Sequence, residues 1–402
     1  MILWQILPLS ALLLMCLVTL TLTNGVNSCI TISDYVSLDS FGFCLSVIPL
    51  FSVLSLIVLL GNELSAINVW LILLSSASSL VCFNCNNFML FFVSYELSII
   101  FLLFSLFTGS PYSERGLAGW YFLGYLVIGG VPLLLLCIYN SLNSGELIVH
   151  DPSSVVNYIL FLLFITKVPL FPFHSWLPIV HAEANSYVSI MLSGYIMKLG
   201  ILGVVRLFSS SGELIKVYVM MFFLASCYFL VSSVLELDNK RWLAFLSLGH
   251  ISVGVLGILS IPHSNEYLIS SFSLGHGLSV IFLFLYFSVQ SGMVGSRNWV
   301  VMLNSNNSGM VGVIALGVLS LIAFPPSILF FNEVFIFVSS ISTQSVSYVF
   351  YLYILLGVIA PICILSVILS RLSSTSDLNC FSINYISLLC GMVIFYLYFI
   401  II

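Results

Sequence analysis

Long apolar runs separated by short polar stretches recur from one end of the chain to the other. They fall at 2–22, 43–60, 64–82, 86–108, 117–138, 155–182, 186–207, 214–235, 239–260, 265–290, 308–342, 347–370 and 382–402. A helix needs about 20 apolar residues to cross a hydrocarbon core roughly 30 Å thick, so the pattern predicts about thirteen transmembrane helices. Two runs, 155–182 and 308–342, are too long for one straight span and carry prolines at their centres, Pro169 with Pro172 and Pro325 with Pro326. Proline lacks an amide hydrogen and crowds the preceding turn, so both runs are expected to be broken helices.

Taken in groups of five from the third span, each group has a broken helix in fourth place. Five is odd, so the second group starts from the opposite side of the membrane and runs inverted. The expected fold is an all-α integral membrane protein built on an inverted repeat of five-helix units. Its expected parts are N-terminal helices (1–63), a first repeat (64–207), a second repeat (208–370) and a C-terminal helix (371–402). Two unrelated proline kinks would give the same interruptions without a repeat.

Composition agrees. The 402 residues are 61% hydrophobic and 6% charged with a mean hydropathy of +1.23, whereas soluble domains carry about 25% charged residues. Soluble enzyme folds are therefore excluded. The first span, Ile2 to about Leu22, has no basic flank and no small-residue cleavage pattern, and is expected to be a retained helix. The first Lys or Arg is Arg115, so an Arg-rich transit peptide is not expected, and a mitochondrial protein of this kind would be made inside the organelle. Of ten cysteines only Cys82 and Cys85 form a CxxC pair, which lacks the second pair of ligands that zinc or an iron-sulfur cluster takes. Neither a metal nor a redox cofactor is expected on the chain. The net charge of −5 is spread thinly and points to no nucleic acid.

With thirteen spans, Arg115, Lys240, Arg241, Arg297 and Arg371 fall on one side of the membrane, Arg206 and Lys216 on the other. The positive-inside rule then puts the N-terminus on the matrix or cytoplasmic side. There the sequon beginning at Asn306 would meet no glycosylation machinery.

Four ionisable residues lie near the middle of predicted spans: Glu96, Lys167, Lys198 and Glu333. Each costs roughly 2.5–3.5 kcal/mol on insertion scales, so all must face a hydrated or paired interior. A static ion pair would need one group of each sign. Here two lysines and two glutamates accompany two mid-span histidines, His250 and His276. Six titratable groups along successive helices point to a proton or ion path. A desolvated lysine loosens its hold on a proton and a nearby carboxylate restores it, while histidine relays protons through either ring nitrogen. Sodium would want clustered oxygen ligands, and the lysines and histidines do not supply them. His174 and His181, near Trp176, Pro178 and Glu183, are expected to satisfy interfacial backbone groups; His150 and His263 read as loop residues. Gly119, Gly124, Gly129 and Gly130 read as close helix packing.

The run Lys167-Val-Pro-Leu-Phe-Pro-Phe-His-Ser-Trp-Leu-Pro-Ile-Val-His-Ala-Glu-Ala-Asn185 resembles the signature K-x-P-L-x-x-x-H-x-W-L-P-x-A-H-x-E-A-P of the antiporter-like subunits of respiratory complex I. Lys198-Leu-Gly resembles the K-L-G that follows it. Ser94-Tyr-Glu96, Glu114-Arg-Gly-Leu-Ala-Gly119, Asp238-Asn-Lys240 with Ser247-Leu-Gly-His250, His276-Gly-Leu-Ser279, and Pro325-Pro-Ser with Glu333 are similar to motifs of the subunit 4 branch. Together they cover about residues 90–335 in family order. The resemblance implies that Glu96 and Lys167 couple proton entry, that Lys198 passes the proton through His250 and His276, and that Glu333 releases it. It also implies that NADH, FMN, iron-sulfur clusters and ubiquinone are bound by other subunits. The implied partners are other membrane-arm subunits, with an antiporter-like subunit on each flank, and membrane lipids; the implied location is the mitochondrial inner membrane.

The chain departs from the pattern at Ile179, Asn185 and Gly249, where a lysine, a proline and a serine are usual, and it has one span fewer near the N-terminus. A stand-alone bacterial cation/proton antiporter shares the signature. A membrane scaffold would explain the spans but not six interior titratable groups.

Overall fold

The computed structural model describes residues 30–33, 35–61, 64–143, 154–207, 213–260, 266–303, 308–325, 327–340 and 344–370. The expected first and last spans, 2–22 and 382–402, lie outside the described residues, as do His150, His263, Asn306, Pro326 and Arg371. Every other predicted span is present. A hairpin of β1 (Ile30–Ser33) and β2 (Val36–Leu38) leads into α1 (Ser40–Leu60), α2 (Ala66–Phe83), α3 (Phe88–Gly109) and α4 (Arg115–Asn143). The first broken helix is α5 (Ser154–Lys167) and α6 (Trp176–Glu183). After it, α7 (Ser186–Met191), a π-helical turn (Leu192–Ile196) and α8 (Met197–Leu207) follow one another without a break. Then come α9 (Glu213–Leu235), α10 (Asn239–Ser260), α11 (Glu266–Val294) and the short α12 (Trp299–Leu303). The second broken helix is α13 (Ser308–Leu321) and α14 (Ile328–Ser340), and α15 (Gln344–Ser370) is the last described element. Among the described residues, eight helical segments are long and apolar enough to cross a membrane, and both halves of each broken helix are shorter. The expectation of an all-helical chain misses the small hairpin at 30–38, which pairs with a slipped register between Thr31 and Ser33.

Single prolines do not break helices here: Pro49, Pro132 and Pro361 lie inside α1, α4 and α15. The interruptions come where prolines are paired. At the first, the α5 ladder ends with Val168 N–H on Phe164 O at 2.8 Å, because Pro169 cannot continue it. At the second, Ala323 takes a left-handed φ of 59° just past the end of α13, the conformation that commonly closes a helix.

The spans differ sharply in how much of them faces lipid. The windows Ser186–Arg206, Leu268–Val294 and Asn239–Ile258 are 94%, 94% and 83% buried, against 28% for Arg115–Tyr139 and 33% for Val346–Val367. So α7–α8, α10 and α11 form the interior, and α4, α9 and α15 turn residues such as Trp120, Tyr228 and Tyr348 outward.

Charged side chains tie the helix ends. Arg206, near the end of α8, binds both Asp39 carboxylate oxygens at 3.0 and 2.8 Å, Phe83 O at 2.9 Å and Cys85 O at 2.5 Å. Asp39 in turn caps α1 by accepting from Gly42 N–H at 2.9 Å. One guanidinium thereby joins the start of α1, the end of α2 and the turn before α3. At the other end of α3, three successive carbonyls at the C-terminus of α6 accept from three segments: Ala182 from Arg297, Glu183 from the Ser110 hydroxyl at 2.5 Å, and Ala184 from Lys240 at 2.8 Å. Helix C-termini leave such carbonyls without intrahelical partners and favour cations. Lys240 is thus buried at a helix end, on the carbonyl of Ala184. Arg206 and the Arg115–Lys240–Arg297 group stand at opposite ends of α3, as the loop charges predict.

Arg206→Ala removes charged hydrogen bonds worth at most about 1.5–3 kcal/mol each, less where solvent reaches the partly exposed Asp39, and leaves Asp39 without its cation. The expected result is a clear fall in melting temperature of the protein in detergent. Arg206→Lys, which keeps the charge but not the fork, should fall between.

Candidate functional site

Lys167 is the last residue of α5, so the proline break begins beside it. Its Nζ donates to Glu96 Oε1 on α3 at 3.0 Å and to Leu126 O on α4 at 3.3 Å, and lies 5.4 Å from the centre of the Tyr95 ring. Both side chains are buried, and Glu96 Oε2 has no protein partner. A narrow cleft lined by Tyr125, Trp176 and Lys167 opens beside the pair. The backbone of α4 reaches the pair because it has no side chains there: a Cβ on Gly130 would stand 2.8 Å from Glu96 Oε1, and one on Gly129 would stand 3.0 Å from Lys167 Cε. Gly119 likewise meets Phe107, whereas Gly124 faces nothing within 4 Å, so the packing expected of these glycines holds for three of the four.

Lys198 is fully buried, two residues past the π-helical turn, and its Nζ donates to Ser193 O inside that turn at 2.5 Å. A π-turn spaces its hydrogen bonds one residue wider than an α-turn, as in Met197 N–H to Leu192 O, and such turns recur at functional sites. The opposing helix α11 fits against it through Gly277, whose Cβ would lie 3.3 Å from Gly194 O. On the other side of His276, Gly275 packs on Ile328 at the start of α14. The histidine between the two glycines therefore has the π-turn on one side and the second helix break on the other.

His276 is within electrostatic reach of both Lys198 and His250, and its ring centre is 6.0 Å from that of His250. The Nε2 atoms of both rings are buried without a protein partner. His250 Nδ1 lies 2.8 Å from the Tyr353 hydroxyl and 3.6 Å from Glu333 Oε1, and Tyr353 is 3.5 Å from the same oxygen. The spatial order is thus Lys198, His276, His250, Glu333, with the two histidines in the reverse of their chain order. Glu96 and Lys167 form a separate cluster in the first half of the chain. Tyr353 gave no signal in the sequence, being one of 19 tyrosines in an apolar run.

His181 departs from expectation. It is fully buried, stacks on Phe284 with ring centres 5.0 Å apart, and neither ring nitrogen has a protein partner, so it satisfies no backbone group. It lies within electrostatic reach of Lys198 and Lys240. His174 sits in the break itself, stacked on Phe171 and tilted against Phe229 at 4.5 Å between ring centres, and its Nδ1 has no partner among the described residues. Cys85 Sγ donates to Cys82 O at 3.1 Å, and no cluster of three or more metal-ligating side chains occurs among the described residues.

Residues 85–360 match the family model described as NADH:quinone oxidoreductase/Mrp antiporter, transmembrane. The chain belongs to that family. It is a multi-pass membrane protein. Similar curated proteins are NADH-ubiquinone oxidoreductase chain 4 of Locusta migratoria, 28% identical over 242 residues (58% of this chain, 53% of that one), and of Apis mellifera ligustica, 29% identical over 287 residues (68% and 62%). The chain spans about half the length of most of the curated relatives it matches. Its fold is similar to a chain of respiratory complex I from Thermus thermophilus with bound NADH, at a TM-score of 0.82 and 18% identity over 97% of this chain and 89% of that one. It is also similar to a chain of the Mrp complex from Dietzia sp. DQ12-45-1b, at 0.73 and 19% over 89% and 43%.

The departures from the antiporter-family signature are accommodated. Asn185 has φ −61° and ψ 155°, backbone angles that the usual proline would adopt. At Gly249 a serine Cβ would come 2.7 Å from Leu230 Cδ2, so glycine here matches the leucine on α9.

Gly130→Ala forces the Glu96 carboxylate away from α4 and is expected to weaken the pair with Lys167, lowering the melting temperature of the protein in detergent. Gly124→Ala, in open space, should leave it unchanged.

Proposed function

We propose that this chain is a proton-translocating, antiporter-like core subunit of NADH:ubiquinone oxidoreductase in the mitochondrial inner membrane. The observation that carries the reading is that each of the three innermost spans holds one ionisable side chain near mid-length, Lys198, His250 or His276, and that this series ends against Glu333. Static packing would favour apolar residues at these positions, since unpaired buried charges are destabilising.

In this reading the Glu96–Lys167 pair governs entry. While Glu96 holds the Lys167 ammonium, Lys167 keeps its proton; parting the two leaves a desolvated ammonium that gives its proton up. Lys198 takes a proton at Nζ, His276 and His250 accept and release it at ring nitrogens, and Glu333 receives it before release on the far side. The 6.0 Å between ring centres is a distance that one water with polar partners on both rings can bridge. The half of the chain around the Glu96–Lys167 pair would pair functionally with the half around Glu333, as the proposed repeat units 64–207 and 208–370 imply.

The chain carries no redox step in this account. NADH, FMN, iron-sulfur clusters and ubiquinone are proposed to be bound by other subunits. Its proposed neighbours are the other membrane-arm subunits, including antiporter-like ones on its flanks. The names of the curated relatives and the similarity of fold to a chain of respiratory complex I support this membership.

The test is proton pumping measured against NADH oxidation in vesicles carrying Glu96→Gln or Glu333→Gln, with assembly checked by native electrophoresis. Loss of pumping and of coupled turnover in an assembled complex is the expected outcome. Unchanged pumping in both variants would show that these carboxylates only pack, and the reading would fail.

A further inference from the structure

We infer that Tyr353 is a proton-transfer residue, its hydroxyl forming the link between His250 and Glu333. The inference rests on the proton-path reading above and adds to it a residue that none of the sequence motifs contains.

Three helices meet at this point. His250 comes from α10, Glu333 from the second half of the broken helix, α14, and Tyr353 from α15. The hydroxyl is 2.8 Å from His250 Nδ1 and 3.5 Å from Glu333 Oε1, whereas the direct His250–Glu333 approach is 3.6 Å. A nitrogen and an oxygen 3.6 Å apart do not form a hydrogen bond, so the group that His250 Nδ1 contacts at hydrogen-bonding distance is the phenol, at 2.8 Å. The second leg, at 3.5 Å, is about half an ångström longer than an ordinary O–H···O bond, and the Glu333 side chain, less enclosed than the other two, is the one that closes it.

The hydroxyl is held rather than free to wander. The Tyr353 ring is buried, with Phe223 and Phe350 at 5.3 and 5.8 Å between ring centres, and stands at 89° to the His250 ring at 6.1 Å. A buried tyrosine hydroxyl usually finds a polar partner. This one has two, of opposite character: a ring nitrogen that can donate and a carboxylate oxygen that can accept.

The step balances without charge remaining on the tyrosine. The Nδ1–H bond of protonated His250 breaks and its proton joins the Tyr353 oxygen, while the Tyr353 O–H bond breaks and that proton joins Glu333 Oε1. One proton has moved, His250 and Glu333 end neutral, and the starting arrangement is restored once the new O–H, which points at His250, turns back toward Glu333. Direct phenol ionisation is avoided because arrival and departure occur together.

Tyr353→Phe removes the oxygen and keeps the ring that Phe223 and Phe350 pack against, so the assembled complex is expected to survive. Positioned proton-transfer groups contribute about 10²–10⁴-fold, and the expected result is at least a tenfold fall in coupled proton pumping per complex. An infrared difference spectrum of the unsubstituted complex poised with and without NADH should show a tyrosine C–O change together with the Glu333 carboxyl band, identified as the band that Glu333→Gln removes. Normal pumping in Tyr353→Phe while Glu333→Gln has lost it would overturn the role of Tyr353 and leave the proton path standing. Normal pumping in both would defeat the path itself. A carboxyl change with no accompanying tyrosine change would likewise overturn the link, even were the phenylalanine variant not to assemble.

Discussion

The cost of holding charge away from water shapes this molecule more than any other interaction. A chain with 6% charged residues nonetheless places Lys198, His276 and His250 on its three most enclosed helices and a Glu96–Lys167 pair in the first half. Each of these groups, facing lipid, would be expelled or neutralised. Burial among helices is tolerable only where something answers the charge, and the surrounding backbone is arranged to do so. Glu96 has an ammonium, Lys167 a carboxylate and a carbonyl, and Lys198 a carbonyl in the π-turn.

The irregularities of the backbone follow from the same requirement. A regular helix uses its own carbonyls; a charge inside a helical bundle needs some released. The paired prolines end α5 at Lys167 and divide α13 from α14, whose first residue is five before Glu333, and the π-turn ends two residues before Lys198. Glycines then bring neighbouring helices into contact at those points: Gly129 and Gly130 against the ion pair, and Gly275 and Gly277 on either side of His276. The ends of these elements are fixed by cations whose task is structural. Arg206 gathers Asp39 and two carbonyls, and Lys240 and Arg297 hold the end of α6. Location separates two settings for charge in this chain: cations at helix ends are matched by carbonyls or carboxylates, whereas in the interior the Nε2 atoms of His250 and His276 have no partner among the described residues.

Much of this was legible in the amino-acid order because membrane helices write their limits in apolar length and their exceptions in charge. The described spans, both broken helices and the six interior titratable groups could all be read that way. What hid from the sequence has specific physical causes. Lys240 sits among Asp238, Asn239 and Arg241, and nothing in that run marks it as buried; its partner is a carbonyl 56 residues away in the chain. His181 follows a proline-rich stretch that suggests an interface, yet it is sealed against Phe284 from α11. Tyr353 is indistinguishable by pattern from the lipid-facing Tyr351, and only the crossing of α15 with α10 and α14 sets it beside His250. The chain order of the two histidines says nothing about their spatial order, and a π-turn leaves no trace in hydropathy.

The central claim is that the interior charges are kept for proton movement at a cost in stability, and Lys198 tests it most directly because its one protein hydrogen bond is to a carbonyl. Lys198→Met preserves volume and removes the charge. Melting temperature and proton pumping should be measured on the same preparation of the complex. The account predicts a protein at least as stable as the original that no longer pumps. A variant that is markedly less stable yet still pumps would contradict it, showing Lys198 to be structural and the path to run elsewhere.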